Sequence, residues 1–436
     1  DTLSLHDALP ISLQGFFNDN KACNMGWTND YHLDINTEQN YWAANVGNLA
    51  ECNAPLFTYI KDLAHHGAKT AEVVYGCKGW TAHTTANVWG YTPASSTIIW
   101  GLFPMAGSWI ASHLWTQYEF TQDKQYLAET AYPLLKGNAQ FILDFLAKDP
   151  KSGYLMTGPS ISPENWFRTA GGEEMVASMM PACDRELAYE ILSNCVRASE
   201  ILDTDREFAD SLRTAIAQLP PIQLRANGAI REWFEDFEEA HPNHRHTSHL
   251  LALYPFSQIT LEKTPELAEA ARKTIENRLS AENWEDTEWS RANMICMYAR
   301  LKDAQEAYKS IYAYEWQGDN LLIARESMLI SFIEYYQQKF GKRPLLKSIN
   351  YIAYIISWNV WQMDGLKGVI PNSCGERRTI VADLFGTREE VSQCEGCQKD
   401  DIRRHNGIYC QIKDWRAKDP ETGKMGKRIR FIDLIK

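Results

Sequence analysis

DKQYLAETAYPLLKGNAQFILDFLAKD (residues 123–149) repeats Leu, Ala, Ile and Phe at three- and four-residue spacing. That is the period of a helix with one buried face, and Asp123 stands where an N-cap belongs. The stretches 185–202, 206–219, 265–280, 289–301 and 303–314 follow the same rule. Short connections join neighbours, which makes consecutive helices antiparallel. No strand alternation of comparable strength precedes residue 320. The expected fold class is all-α, a toroid of helix hairpins. A helical-repeat scaffold would instead show a sequence repeat of roughly 33–47 residues, and none is detectable.

The chain has 436 residues, a formal charge of −12 and 15 tryptophans. The acidic balance argues against a nucleic-acid partner, because phosphate binding needs clustered cations. No apolar run approaches the roughly 20 residues that cross a bilayer, so no membrane partner is expected. The tryptophans serve either as core or as stacking platforms for sugars. The ten cysteines are scattered, unlike the framework of a small secreted domain, and do not fix a compartment.

Both ends differ from the body. DTLSLHDALPIS (1–12) lacks the basic and apolar regions of a signal peptide and reads like one frame of a sequencing adapter. Residues 1–12 are therefore expected to be foreign to a natural protein whose own start is missing. The helical body is expected over residues 13–320. Residues 321–436 are expected to be out of frame or poorly structured. From Lys399 to Lys436 there are 11 Lys/Arg against 6 Asp/Glu. Cys374, Cys394, Cys397 and Cys410 crowd there too, and CEGC has zinc-like spacing. One CxxC without a clear second pair does not make a site, so no metal is expected.

The long loops carry the chemistry. TNDYHLDINTEQNYW (28–42) sets His32, Asp34 and Asn36 among aromatic rings without helical or strand periodicity, as a loop that opens a helix and holds a sugar would. In GPSISPENWF (158–167), Glu164 is presented from a proline-stiffened loop beside Ile161, Trp166 and Phe167. Desolvation there would raise its pKa, as a general acid requires; a helix-capping glutamate is the alternative. HPNHRHTSHLLALYPF (241–256) reads as a polar pocket wall, with Arg245 and His246 donating to hydroxyls, because its histidines lack the HExxH arrangement of a zinc enzyme. GWTAHTTANVWGYT (79–92) offers His83, Asn87 and Trp89 to a ring, with core packing the alternative for Trp80 and Trp89.

Taken in order with IWGLFPMAGSWIASHLWTQYEFTQDKQYL and WSRANMICMYARL, these loops resemble glycoside hydrolase family 95, known for inverting α-L-fucosidases. The likeness runs from Leu13 to about Asn320. It implies an (α/α)6 barrel and no metal or cofactor. It also implies a terminal α-L-fucose on an oligosaccharide or glycan as substrate, with Glu164 as general acid. His32, Asp34 and Asn36 fall on the family's sugar- and water-binding stretch, and Arg245 and His246 on its HRH motif, where a histidine goes with fucose and a smaller residue with L-galactose. Two positions depart from the pattern. Asp34 stands where an asparagine is usual. The family's base aspartate has only Asp364, in WQMDGLKG (361–368), as its nearest match, and an inactive sugar-binding fragment would follow if the base were absent.

Overall fold

The periodicity of residues 123–149 becomes helix in the computed structural model. The structure describes residues 30–434 apart from 96, 304–308, 310–312, 316–317, 365–366, 384–385 and 400. The expectations for residues 1–12 lie outside these. Asp123 caps as expected, its Oδ1 accepting from Gln125 N–H at 2.9 Å and Tyr126 N–H at 3.0 Å. The turn Leu127–Ala131 is widened to a π-type turn before the regular helix Tyr132–Phe145. Pro133 supplies the reason: it has no N–H to donate to the carbonyl one turn earlier.

The chain divides into two compact units, Asp1–Ser290 and Arg291–Lys436. The first is mostly helical: α1 (Asn36–Val46), α2 (Ala54–Thr70), α3 (Ala106–Thr121), α4 (Tyr132–Phe145), α5 (Ala182–Leu202), α6 (Arg206–Ile216) and α7 (Pro265–Ser280). The spacing at 289–301 is helix over Glu288–Arg300. The expected helix at 303–314 lies largely outside the described residues, and its last two residues belong to a strand, Ala313–Glu315.

One apolar core joins α1 to α6. Leu56, Ile60 and Leu63 of α2, Ile110 and Leu114 of α3, Leu135 and Ile142 of α4, Leu187 and Ile191 of α5 and Leu212 of α6 are fully buried. Each such side chain contributes about 1.5–3 kcal/mol of transfer free energy. Asp205, in the turn between α5 and α6, accepts from Tyr132 Oη at 2.8 Å and Lys136 Nζ at 2.7 Å, tying that turn to α4.

The loops between helices pair in two-residue ladders: β1 (Tyr31–His32) with β2 (Thr85–Ala86), and β3 (Ser160–Ile161) with β6 (Ala177–Ser178). Strand β4 (Phe167–Arg168) lies between β5 (Glu174–Met175) and β7 (Glu238–Glu239). All are antiparallel. Among the described residues, no helix is long and apolar enough to cross a membrane.

The second unit holds α8 (Gly318–Phe340), α9 (Leu346–Asn359) and two hairpins, Arg377–Asp383 with Gly386–Ser392 and Gln411–Lys418 with Met425–Arg430. Leu321, Phe332, Ile352, Ile355, Ile356, Val360 and Trp415 form a small apolar core in this unit.

Gly67 marks where α2 meets the 79–85 loop. A Cβ there would stand 2.3 Å from the Thr81 carbonyl oxygen, so backbone would have to move. Gly67→Ala should destabilise the protein by about 1–3 kcal/mol, the usual cost of overpacking, read as a lower urea midpoint. An unchanged midpoint would mean that the contact is slack.

Candidate active site

The β1–β2 ladder sets His32 opposite Thr85, and the chain then turns sharply into α1. Ile35, between Asp34 and Asn36, has φ 128°. A β-branched residue there is strained, and such strain collects at functional sites. The fully buried Glu38 receives the Ile35 N–H at 3.2 Å. Leu33 N–H donates to the Thr84 carbonyl at 2.7 Å. Asp34 is thereby held in the interior with no exposed surface.

Glu164 projects from the loop between β3 and β4. Below that loop lies a second buried carboxylate, Glu232. It accepts from Ser162 Oγ at 2.8 Å and Asn165 Nδ2 at 3.2 Å, and Arg278 Nη2 stands 3.4 Å away. Ser248 Oγ donates to the Pro163 carbonyl. The β4–β7 ladder, continued by Ala240 N–H to the Trp166 carbonyl at 2.9 Å, draws the 241–249 loop alongside.

That loop delivers Arg245 and His246. Arg245 Nη2 is 2.9 Å from Glu164 Oε2 and its Nη1 is 2.9 Å from Glu285. His246 Nε2 is 3.4 Å from the same Glu164 oxygen, and its ring meets Trp289 edge-on at 4.7 Å. From the opposite loop, His32 Nε2 stands 2.8 Å from Asp34 Oδ1 and 3.5 Å from Glu164 Oε1, while its Nδ1 faces Asp30 at 3.2 Å. The sequence-expected His32, Asp34, Glu164, Arg245 and His246 therefore form one cluster.

Charge in this cluster differs from the expectation for Glu164. Burial does push its carboxyl up, but His246 and then His32 outweigh burial and hold it well below the usual carboxylate range. Burial disfavours the imidazolium of His32, yet Asp34, with help from Asp30 and Glu164, raises its pKa well above the ordinary value. Asp34 is pushed up by burial, against the pull of His32. Both shifts favour an ionised Glu164 beside a protonated His32. His32, Asp34 and Glu164 have ligand atoms within 4.8 Å of one another.

His83, Trp89 and Asn36 also belong to the first unit. His83 is buried with both ring nitrogens engaged, one with Tyr75 Oη at 2.6 Å and one with the Thr92 carbonyl at 2.8 Å. Burial lowers its pKa to about 4. It has no nitrogen left for a ligand, and its part is to hold the loop. Trp89 is 82% exposed at the tip of the loop that follows β2. Asn36 opens α1, half-buried beside the Asp34 turn. Asp364 belongs to the second unit, buried, with Lys367 Nζ 3.6 Å away. Sequence reading missed Glu232, Asp30 and Glu285. Glu232 and Glu285 stand in acid-rich loops, where residue type says nothing about which carboxylate meets the cluster.

A buried carboxylic acid within reach of several hydroxyl-binding donors is the equipment of a glycoside hydrolase. The glycosyl hydrolase family 95 catalytic domain matches residues 3–326, and the chain belongs to that family. It is 40% identical to alpha-L-fucosidase 2 of Arabidopsis thaliana over 69% of this chain and 35% of that protein. It is 30% identical to a probable alpha-fucosidase A of Aspergillus niger over 70% of this chain and 38% of that one. The chain thus spans little more than a third of the length of these curated relatives. A solved putative kojibiose phosphorylase from human microbiome overlaps 84% of this chain and 56% of its own at TM-score 0.45 and 9% identity, too loose a likeness to define the fold.

Burial and the neighbouring Asp34 push Glu38 up to about 8. Between its unfolded value of about 4.3 and that point, the folded chain keeps a proton that the unfolded chain loses. Folded stability therefore falls as pH rises. Glu38→Gln removes this titration while keeping an acceptor for Ile35. The variant should gain on the parent steadily as pH climbs from about 5 to 8 in urea unfolding. A constant difference would place the buried proton elsewhere.

Proposed function

We propose that the chain is the catalytic part of an inverting exo-α-L-fucosidase, built as an (α/α)6 toroid and acting on terminal α-linked fucose of an oligosaccharide or glycan. The observation that carries this reading is Glu164, a buried carboxylate faced by Arg245, His246 and His32. Those three side chains are also the donors that a sugar's hydroxyls would take. Trp89, on the loop that follows β2, suits a stacking surface at the rim.

The resting charge state suggests how the acid is armed. When sugar hydroxyls draw Arg245 and His246 away from Glu164, burial becomes the dominant influence on its pKa, and its carboxyl rises. The raised-pKa proton on His32, 3.5 Å from Oε1, is the nearest source. Glu164 then protonates the glycosidic oxygen as the bond breaks.

Inversion needs a base on the far side of the sugar, with the two carboxyl groups roughly 6.5–9.5 Å apart. Asp34 has an oxygen within 4.8 Å of Glu164, closer than that span, so its place suits holding the His32 proton better than activating water. A second reading, a sugar-binding chain without turnover, is favoured by that same closeness of Asp34. Fucose binding by calorimetry without product release would identify it.

The test of the leading reading is NMR of fresh hydrolysis product from a fucosylated oligosaccharide, where β-fucose should appear first. Initial α-fucose would overturn inversion. Glu164→Gln should lose about 10²–10⁴ in rate on the natural glycoside and far less on a fucosyl fluoride, whose leaving group needs no proton. Equal losses on both would make Glu164 structural.

Asp34→Asn tests the division of labour. It removes the strongest influence that raises the His32 pKa, so the alkaline limb of the pH–rate profile should move to lower pH, and azide should not restore activity. Azide rescue would instead make Asp34 the base.

A further inference from the structure

The second unit contains a four-residue cluster outside the region matched to the family. We propose that Cys374, Cys394, Cys397 and His405 bind one zinc ion in a closed tetrahedral site that staples this unit. The sulfurs of Cys374, Cys394 and Cys397 each stand 3.5 Å from His405 Nδ1. All four ligand atoms lie within 4.8 Å of one another, and none of the three cysteines is in a disulfide.

Those distances match the edges of a metal tetrahedron. Zinc–sulfur bonds of about 2.3 Å and zinc–nitrogen bonds of about 2.0–2.1 Å, at tetrahedral angles, put each sulfur about 3.5–3.6 Å from the nitrogen. Three thiols around one imidazole nitrogen have no comparable reason to be equidistant from it. Three sulfurs and one nitrogen also form a donor set suited to zinc rather than to calcium or magnesium.

The backbone around the cluster is arranged to hold it. Cys374 precedes and Cys394 follows the hairpin 377–392, whose end pair is Arg377 opposite Ser392, so the two thiols clasp the hairpin at its base. Asn406 joins the halves: its side chain donates to the Gly375 carbonyl at 2.7 Å and accepts from Gly375 N–H at 3.3 Å. Its own N–H donates to Cys394 Sγ at 3.3 Å, the contact that favours a thiolate. Gly396 lets the chain fold back, since a Cβ there would meet His405 N and Asp401 O at 2.7 Å.

CEGC supplies half of this site. The other half is Cys374 and His405, while Cys410, which crowds with the cysteines in sequence, points instead to the Gln362 carbonyl at 3.3 Å. With four protein ligands no position is open for a substrate, so the site is structural. Its weight is in folding, because the unit's apolar core is small and metal binding adds directly to folding free energy.

The experiment uses the full chain, stripped with a chelator under reducing conditions and titrated with cobalt(II) alone. One equivalent should give a thiolate-to-cobalt charge-transfer band and tetrahedral visible bands, both abolished by zinc. Cys397 is exposed, so Cys397→Ser should fold and still bind cobalt more weakly by over about 100-fold, beyond the cost of losing an outer contact. Cys410→Ser should bind like the parent. Lack of stoichiometric uptake by the parent, or undiminished cobalt binding in Cys397→Ser, would overturn the site.

Discussion

The first unit turns on one problem, the burial of the Glu164 carboxylate. A carboxylate moved into a low-dielectric interior costs several kcal/mol unless it is paired and hydrogen-bonded. Here the pairing comes from three side chains on two other loops, His32 before α1 and Arg245 with His246 before α7. These loops must therefore meet: the β4–β7 ladder joins the Glu164 loop to the one that carries Arg245 and His246, while β1–β2 fixes His32 against the 79–92 loop. Glu232 extends the same logic one layer down. It anchors the loop from beneath through Ser162 and Asn165, and Arg278 offsets its charge.

Legibility followed burial. Helices α4 to α7 announced themselves because each keeps a polar face toward solvent. The residues of α3 from Ala106 to Trp115 are all buried, so no amphipathic stripe distinguishes them. The stripe of α2 runs Leu56, Ile60, Leu63, Gly67, and its last member is a glycine that periodicity counts as a break. In the site, the residue types that announce sugar chemistry were visible at His32, Asp34, Glu164, Arg245 and His246. His83 looked the same in sequence, yet Tyr75 and Thr92 use both its nitrogens. A histidine's partners are a tertiary property, and spacing along the chain does not carry them.

The second unit shows the same limit in reverse. CEGC looked incomplete because its partners, Cys374 and His405, are brought to it only by the closure of a hairpin and a turn. Glu232 was hidden among the acids of REWFEDFEEA for a related reason. All of them are polar and loop-borne, and a single burial decides which one matters.

The charge balance around Glu164 also constrains the chemistry. Asp30, Asp34, Glu164 and Glu285 face His32, Arg245 and His246. A neutral sugar adds no charge to this set; it only redistributes donors. On the proposed reading, in which Glu164 is the general acid, a proton held within the cluster is the nearest one to it. His32 is placed for that role, because a single nitrogen faces both Asp34 and Glu164. Asp34, deeper and without solvent contact, raises the pKa of His32. On that reading, an aspartate at the position where the resembled family has asparagine gives the His32 proton a partner 2.8 Å away.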